Sequence, residues 1–132
     1  GKQLTRLIIA WQHFWGAAGT MTSDYPRSCI IGAGPCGLTV GKALLERGLP
    51  YDCFDASDDV GGNWYFGNPN GLSSAYRMLH IDSSKKRSQF SDFPMPAEYP
   101  DFPHHSQILQ YFRDYAQRFE LRPHIQFRTK VE

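Results

Sequence analysis

The spacing of apolar residues in the first half of the chain predicts a strand, a helix and a second strand. The apolar run at residues 29–31 is short enough for a buried strand, and the run Tyr51–Phe54 predicts another. Between them, apolar residues at helical intervals predict a helix that ends at Gly48, because glycine readily adopts the left-handed conformation beyond a helix end. The expected apolar face of this helix comprises Leu38, Val40, Ala43 and Leu44.

The second half of the chain begins with a long irregular region and continues with a helix and a third strand. Residues 67–103 are rich in proline, which lacks a backbone donor and fixes φ, so we expect an ordered loop region there. Ser106 is the predicted N-cap of the helix. Alternation over residues 125–131 predicts a strand parallel to the first two. The apolar positions concerned are Ile108, Phe112, Tyr115, Ala116 and Phe119 in the helix, and Ile125, Phe127 and Val131 in the strand.

The turn after the first strand has the spacing of a dinucleotide-binding loop. In this Gly-x-Gly-x-x-Gly sequence, Gly32 permits the tight turn, Gly34 lets the backbone approach a diphosphate, and Gly37 allows close helix–strand packing. Unpaired amides at the start of the helix suit phosphate oxygens. Asp55 follows at roughly the 20-residue distance of a ribose-binding acid, and its charge disfavours a 2′-phosphate. The site is therefore predicted to hold FAD or NAD; the alternatives are an ordinary glycine turn and a solvated loop acid or helix cap.

These elements predict the α/β class, with a Rossmann-like fold that binds a dinucleotide, either FAD or NAD. We expect a partial parallel sheet, flanking helices and a long ordered loop region. Residues 1–20 contain a short apolar patch that polar residues interrupt, and we interpret them as an N-terminal extension or a cloning artefact. Residues 21–132 are interpreted as a dinucleotide-binding domain. A segment that lies on a membrane surface is the alternative for the first twenty residues.

Charge and cysteine content narrow the expected partners and compartment. A net charge of +1 gives no reason to expect a nucleic-acid partner. Cys29, Cys36 and Cys53 are an odd number and lack metal-ligand spacing, so neither a disulfide framework nor a metal site is expected. We predict that Cys29 and Cys53 face the core. These features favour the cytoplasm, with membrane association as an alternative because of the N-terminal patch.

Two glycines stand beside an aromatic cluster downstream of the second strand. Gly61 and Gly62 allow the backbone to approach a partner closely, and the aromatic residues at 64–66 provide an apolar wall. A flat isoalloxazine ring suits such a wall. The alternative is a glycine turn whose aromatic neighbours pack into the core.

Several segments in order resemble the N-terminal FAD-binding part of flavin-containing monooxygenases of the dimethylaniline N-oxygenating type. The resemblance covers residues 27–132 and rests on the glycine turn and three further runs. These runs are Gly-Gly-Asn-Trp-Tyr-Phe at 61–66, Leu-His-Ile-Asp-Ser-Ser-Lys at 79–85 and Phe-Ser-Asp-Phe-Pro-Met-Pro at 90–96. Many flavoproteins share the glycine turn, whereas the three later runs are more specific to this family.

The resemblance implies a cofactor chemistry and a set of binding residues. NADPH would reduce FAD, and the reduced flavin would activate O2 and pass one oxygen atom to a soft nitrogen or sulfur nucleophile. The glycine turn would hold the diphosphate and Asp55 the ribose; Asn63 and Trp64 would lie along the flavin, and Ile81 with Asp82 near the nicotinamide nucleotide. The cofactor-binding residues implied are Gly32, Ala33, Gly34, Pro35, Cys36, Gly37, Asp55, Gly62, Asn63, Trp64, Ile81 and Asp82.

Two acids depart from the family's usual residues. Asp55 stands where glutamate is common, which preserves the chemistry. Asp82 stands where asparagine is common, and an ionised carboxylate cannot donate the hydrogen bond that an amide can. Asp82 is therefore a candidate catalytic residue, whose charge would oppose negative charge on a nearby flavin. An acid in this region is also familiar in the ester-forming Baeyer–Villiger relatives, and the remaining alternative is a loop cap.

The family's second glycine turn, which binds NADPH, does not occur in this sequence. The resemblance therefore implies that residues 21–132 are the N-terminal portion of an incomplete FAD-binding domain with a Rossmann-like FAD-binding fold. We expect that this portion cannot oxidise NADPH by itself. Two other functions are open: a Baeyer–Villiger monooxygenase, and a non-enzymatic module that binds FAD but consumes neither NADPH nor O2.

Overall fold

A small parallel sheet forms the centre of the computed structural model, which describes residues 25–132. Its strands are β1 (Ser28–Ile31), β2 (Tyr51–Phe54) and β3 (Ile125–Gln126), in the spatial order β1-β2-β3 with both pairs parallel. Helix α1 (Pro35–Glu46) connects β1 to β2, as parallel neighbours require. The predicted α/β class and parallel sheet are confirmed, and the order matches half of a doubly wound sheet. The predicted boundary at residue 20 lies outside the described residues.

Helix α1 ends as the sequence predicts. Gly48 has φ +64°, and its N–H donates to the Leu45 carbonyl at 3.0 Å, while the Leu49 N–H donates to the Leu44 carbonyl at 2.9 Å. These two hydrogen bonds satisfy carbonyls that the helix itself leaves unpaired. The left-handed glycine is therefore the physical reason why the chain turns back into β2.

The buried face of α1 overlaps the predicted one only in part, because Leu38 is buried while Ala43 and Leu44 are half-buried. Leu38, Gly41 and Lys42 are buried, whereas Val40 is 49% exposed. Val40 follows Leu38 by two positions, which is about 200° around a helix, so the two side chains cannot share a face. The inclusion of Val40 in the core face was wrong.

One of the two strand cysteines does not face the core. The β1–β2 register pairs Ile30 with Cys53 and Cys29 with Asp52. Because successive side chains alternate between the faces of a strand, Cys29 lies opposite to Ile30 and is exposed, whereas Cys53 is buried. The prediction is confirmed for Cys53 and wrong for Cys29.

The cap of the long helix lies two residues before the predicted one. Helix α2 (Lys85–Ser88) interrupts the irregular region, and helix α3 (His105–Arg118) follows it. The His104 ring accepts the Ser106 N–H at 3.3 Å, and the Gln107 side chain accepts the His104 N–H at 3.0 Å. His104 is therefore the N-cap, and Ser106 lies inside the first turn.

Helix α3 supplies the aromatic face that its spacing predicts. Ile108, Phe112, Tyr115 and Ala116 are buried, and Phe119 packs against them while partly exposed. These side chains belong to one core cluster together with Ile30, Leu38, Cys53, Val60, Ile81 and Ile125. The cluster therefore joins the sheet, α1 and α3. Within residues 25–132, no helix is both long and apolar enough to cross a bilayer.

Strand β3 is shorter than the predicted strand over residues 125–131. After Gln126 the chain turns, with Arg128 at φ +55°. The Arg128 N–H donates to the Ser57 carbonyl at 2.7 Å, and the Thr129 N–H donates to the Asp55 carbonyl at 2.9 Å. The predicted length is wrong because the loop after β2 provides the acceptors for these amides.

The irregular region is held in place by a lysine. The Lys85 ammonium donates to the carbonyls of Pro96, Ala97 and Tyr99, and the Lys85 N–H donates to the Asp101 carbonyl at 2.7 Å. Four links between α2 and residues 96–101 explain how a proline-rich segment can be ordered with few backbone hydrogen bonds of its own.

Candidate cofactor site

The glycine turn lies where β1 meets α1, at the carboxyl end of the sheet. Gly32 has φ +99°, a conformation that favours glycine, and its N–H donates to the Phe54 carbonyl at 2.7 Å. A Cβ at Gly37 would overlap the Gly32 carbonyl. Gly32 therefore permits the turn and Gly37 the close approach of the helix, as the sequence predicts.

The first turn of α1 presents backbone donors without acceptors. Gly34 is the N-cap and provides no side-chain cap, Pro35 follows it, and the first turn contains no acidic residue. The N–H groups of Gly34, Cys36 and Gly37 have no hydrogen-bond acceptor among residues 25–132. Unpaired donors at the positive end of a helix dipole attract an anion. This part of the structure therefore fits a diphosphate.

Asp55 lies directly beside the turn, at the end of β2. It is 8% exposed, and its carboxylate accepts the Ala33 N–H at 2.5 Å and the Ser57 N–H at 2.7 Å. Each carboxylate oxygen has a further lone pair, so Asp55 can also accept from a hydroxyl. The structure brings the acid and the glycine turn together as predicted, and it adds a direct bond between them that the sequence did not indicate.

The second glycine pair packs against the first turn, backbone against backbone. The Gly61 N–H donates to the Ala33 carbonyl at 3.0 Å. A Cβ on Gly62 would lie 3.1 Å from the Gly34 Cα, which is tighter than most Cβ contacts. Gly61 and Gly62 both have positive φ, at +113° and +55°. The glycine turn at residues 32–37 and the glycine pair at residues 61–62 therefore pack backbone against backbone, with no side chain between them. We call this arrangement the cradle.

The second glycine of this pair begins a single 3₁₀ turn, Gly62–Trp64. The Asn63 carboxamide oxygen accepts the Ser74 N–H at 2.7 Å, and the Asn63 carbonyl accepts the Ser73 hydroxyl at 2.8 Å. Trp64 is half-buried against the core. The predicted flavin-facing residues Asn63 and Trp64 are therefore next to the cradle, but one is tied to residues 73–74 and the other to the core.

Ile81 and Asp82 have different environments although they are adjacent. Ile81 is 7% exposed within the core cluster, and its N–H donates to the Pro103 carbonyl at 3.1 Å. The Asp82 side chain is exposed and forms no hydrogen bond with the described residues. Ser84 is the N-cap of α2, so the structure gives Asp82 no role as a helix cap. Asp82 is available to a ligand, whereas the Ile81 side chain is committed to packing.

The residues that match a known protein family are nearly the same as those that the structure describes. The profile of the flavin-binding monooxygenase-like family matches residues 26–132. Flavin-containing monooxygenase 5 of Rattus norvegicus is 50% identical over 107 residues, which are 80% of this chain and 20% of that protein. The chain belongs to the flavin-binding monooxygenase-like family. N-oxide-forming dimethylaniline monooxygenase 2 of Mus musculus is 44% identical over 104 residues, or 77% of this chain and 19% of that protein.

Solved structures of flavin monooxygenases share the fold of this family member. Cyclohexanone monooxygenase from Rhodococcus sp. Phi1, bound to NADP⁺, superposes with a TM-score of 0.68 at 29% identity. The match covers 80% of this chain and 19% of that one. The chain thus spans about a fifth of the length of the relatives that it matches.

In this flavin-binding monooxygenase-like chain, the structure adds an ionic cluster that the sequence analysis missed. The Asp59 carboxylate accepts from Arg113 Nε at 2.8 Å and from an Arg122 terminal nitrogen at 2.6 Å. Burial alone would raise the pKa of Asp59, but the hydrogen bonds from Arg122, the Val60 N–H and Arg113 outweigh it and hold that pKa below its usual value. The only sequence signal was the position of Asp59 just before Gly61.

A second missed feature is a buried polar pair behind Asp55. Ser57 is 1% exposed, and its hydroxyl donates to the Asn68 carboxamide oxygen at 3.0 Å. That oxygen also accepts the Asn70 N–H at 3.1 Å, which fixes the orientation of the amide. Because the Ser57 N–H donates to Asp55, the pair connects this acid to the buried Asn68. A serine and an asparagine in a turn-rich sequence carry no signal for such a contact.

Proposed function

We propose that this chain is the FAD-binding part of an NADPH-dependent flavin monooxygenase that inserts one oxygen atom from O2 into soft nitrogen or sulfur nucleophiles. The observation that carries the proposal is the cradle in which Gly34, Gly62 and the open start of α1 meet beside Asp55. Membership of the family adds the reaction class. The free cysteines of residues 25–132 agree with a reducing, cytoplasmic location.

Each part of the proposed cofactor has residues whose chemistry suits it. The amides of Gly34, Cys36 and Gly37 would bind the diphosphate, together with the backbone of Gly32, Ala33 and Pro35 around them. Asp55 would accept from ribose hydroxyls and repel a 2′-phosphate, which favours FAD over NADP at this position. When bound, FAD supplies the redox chemistry.

The remaining predicted residues would serve the reactive end. Gly62, Asn63 and Trp64 would line the flavin and limit the access of water to it. Asp82, exposed and without a protein partner among residues 25–132, would face the nicotinamide nucleotide or the flavin, and Ile81 would fix its position through the core. The expected partners are thus NADPH, O2 and a small nucleophilic substrate.

A Baeyer–Villiger monooxygenase is the second candidate. The observation that favours it is the carboxylate of Asp82, together with the structural similarity to cyclohexanone monooxygenase. The N-oxide-forming dimethylaniline monooxygenase 2, which is 44% identical in sequence, favours oxygenation of nitrogen instead.

The test uses the complete natural protein that carries this sequence. We expect a yellow protein that oxidises NADPH when offered a tertiary amine or a thioether and that releases the N-oxide or sulfoxide. Turnover of cyclohexanone to its lactone, without amine or thioether oxidation, would support the second candidate. A yellow protein that consumes neither NADPH nor O2 would indicate a binding module, and a protein that does not bind FAD after refolding would refute the proposal.

A further inference from the structure

The carboxylate of Asp59, just outside the cradle, forms ion pairs with two arginines that are distant from it in the sequence. The carboxylate accepts hydrogen bonds from Arg113 on α3 and from Arg122. It also accepts the Val60 N–H at 2.8 Å. The Asp59 side chain is 18% exposed, which limits screening of these bonds by water. We call the ionic group of Asp59, Arg113 and Arg122 the clamp.

Aromatic rings hold both arginines of the clamp. The Arg113 guanidinium lies 5.9 Å from the centre of the Tyr65 ring, and the Arg122 guanidinium lies 5.2 Å from that of Phe127. These cation–π contacts restrict the arginine rotamers, so the position of Asp59 is fixed from two directions.

The clamp acts on the backbone that forms half of the cradle. Val60 is fully buried directly after Asp59, and the next residue, Gly61, donates to the Ala33 carbonyl. A Cβ on Gly61 would collide with the Leu109 side chain of α3. The segment 60–62 is therefore confined between the glycine turn on one side and α3 on the other, with Asp59 as its ionic link to α3.

We infer that the clamp is a positioning device that sets the distance between Gly62 and the glycine turn and thereby controls how tightly the site holds FAD. The inference rests on the proposed function. Its physical basis is that the Gly34–Gly62 approach has no side chain to absorb a displacement, so a shift of residues 60–62 changes the cradle directly. Asp59 is a positioning residue here and does not touch the cofactor itself.

The matched variants are Asp59→Asn and Asp92→Asn in the complete natural protein. Asp59→Asn keeps the size of the side chain and removes its charge. Asp92→Asn breaks another ionic contact, 2.6 Å from Lys42 of α1; this contact lies beside Tyr115 of α3 and includes no residue of the glycine turn or of the segment 59–62. FAD affinity is measured by flavin fluorescence, the flavin environment by visible circular dichroism, and the stability of the apoprotein by thermal unfolding.

We expect Asp59→Asn to weaken FAD binding by roughly tenfold, or about 1.4 kcal/mol, and to change the visible dichroism of the bound flavin. Asp92→Asn should lower the unfolding temperature but leave the FAD dissociation constant and the dichroism unchanged. Arg113→Gln should reproduce the effect of Asp59→Asn, and the double variant should be no worse than either single one, because both changes open the same contact.

Wild-type affinity and dichroism in Asp59→Asn would overturn the inference and leave the proposed function intact. A wild-type protein that does not bind FAD would overturn both. If Asp59→Asn does not fold, FAD affinity and dichroism are measured in Arg113→Gln instead. We expect this variant to fold, because the Arg113 side chain is 37% exposed and water can replace its hydrogen bonds.

Discussion

The glycines at residues 34 and 37 stand three positions apart and have separable roles. A Cβ on Gly34 would lie 3.5 Å from the Gly62 Cα, an ordinary contact, whereas a Cβ on Gly37 would overlap the Gly32 carbonyl. Gly34 is therefore needed for what binds in the cradle, and Gly37 for the packing of the helix itself. Sequence spacing predicted both roles but did not show that they differ in their effect on folding.

Substitution by alanine should separate the two roles. Gly34→Ala is expected to lower the free energy of unfolding by about 0.5–1 kcal/mol, because glycine is a better N-cap than alanine, and to weaken FAD binding. Gly37→Ala should destabilise the apoprotein by about 1–3 kcal/mol, because the helix must move away from the turn. Urea unfolding and FAD titration measure the two effects. Wild-type FAD affinity in Gly34→Ala would contradict the proposed diphosphate site.

Asp82 is the residue whose chemistry departs most from the family pattern. Its exposed carboxylate brings a negative charge to the place where the resemblance puts an amide. We expect Asp82→Asn to lower the hydrogen peroxide released per NADPH oxidised several-fold in the complete protein, because an amide can donate where the carboxylate repels. Asp101→Asn, at another exposed acid, is the control. Equal peroxide yields in Asp82→Asn and wild type would argue against a flavin-proximal Asp82.

In helix α3, the buried face and the first residue are determined by different interactions. Its buried face follows from apolar spacing, which the sequence displays, whereas its start follows from a histidine ring that acts as an N-cap. Serine is the commoner cap, so composition favoured Ser106. The tertiary structure favours His104 because its Nε2 also bonds to the Arg77 carbonyl at 2.7 Å, which fixes the ring for capping.

Two alanine variants distinguish the caps. His104→Ala should lower the free energy of unfolding by about 1 kcal/mol, the usual cost of losing an N-cap side chain. Ser106→Ala removes the hydroxyl that lies 2.9 Å from the His104 Nδ1 and should cost less, about 0.5 kcal/mol, because Ser106 is exposed and its N–H still donates to the ring. Urea unfolding of each variant is the measurement. A larger loss of unfolding free energy in Ser106→Ala than in His104→Ala would support Ser106 as the N-cap, as the sequence predicted.

At the scale of the whole molecule, ionic contacts join segments that the chain order separates. Asp59 links the loop after β2 to α3 and to Arg122 near the start of β3. Lys42 in the buried face of α1 binds both Glu46 and Asp92, and so ties α1 to the irregular region. These contacts hold elements around the sheet at positions that hydrophobic packing alone does not specify.

The pH dependence of stability should report the Asp59 contact. Its pKa is lowered in the folded protein, so the unfolded state binds the proton more readily. The stabilisation is present above the unfolded pKa of about 3.9 and is lost as the pH falls through the lower folded value. The difference in unfolding free energy between wild type and Asp59→Asn should therefore be constant near pH 6 and shrink below about pH 4. A difference that does not vary with pH would contradict the ionic role of Asp59.

The sequence by itself determined the strand–helix–strand unit, the glycine turn with its acid, the left-handed end of α1 and the aromatic face of α3. Each depends on residues that are neighbours along the chain or lie at a fixed helical or strand period, so the local sequence contains the cause. Only the tertiary structure decided the His104 cap, the early end of β3, the exposure of Cys29 and the links from Asp59 to Arg113 and Arg122. These depend on which distant donor or acceptor reaches a given atom, and that is fixed only when the elements pack together.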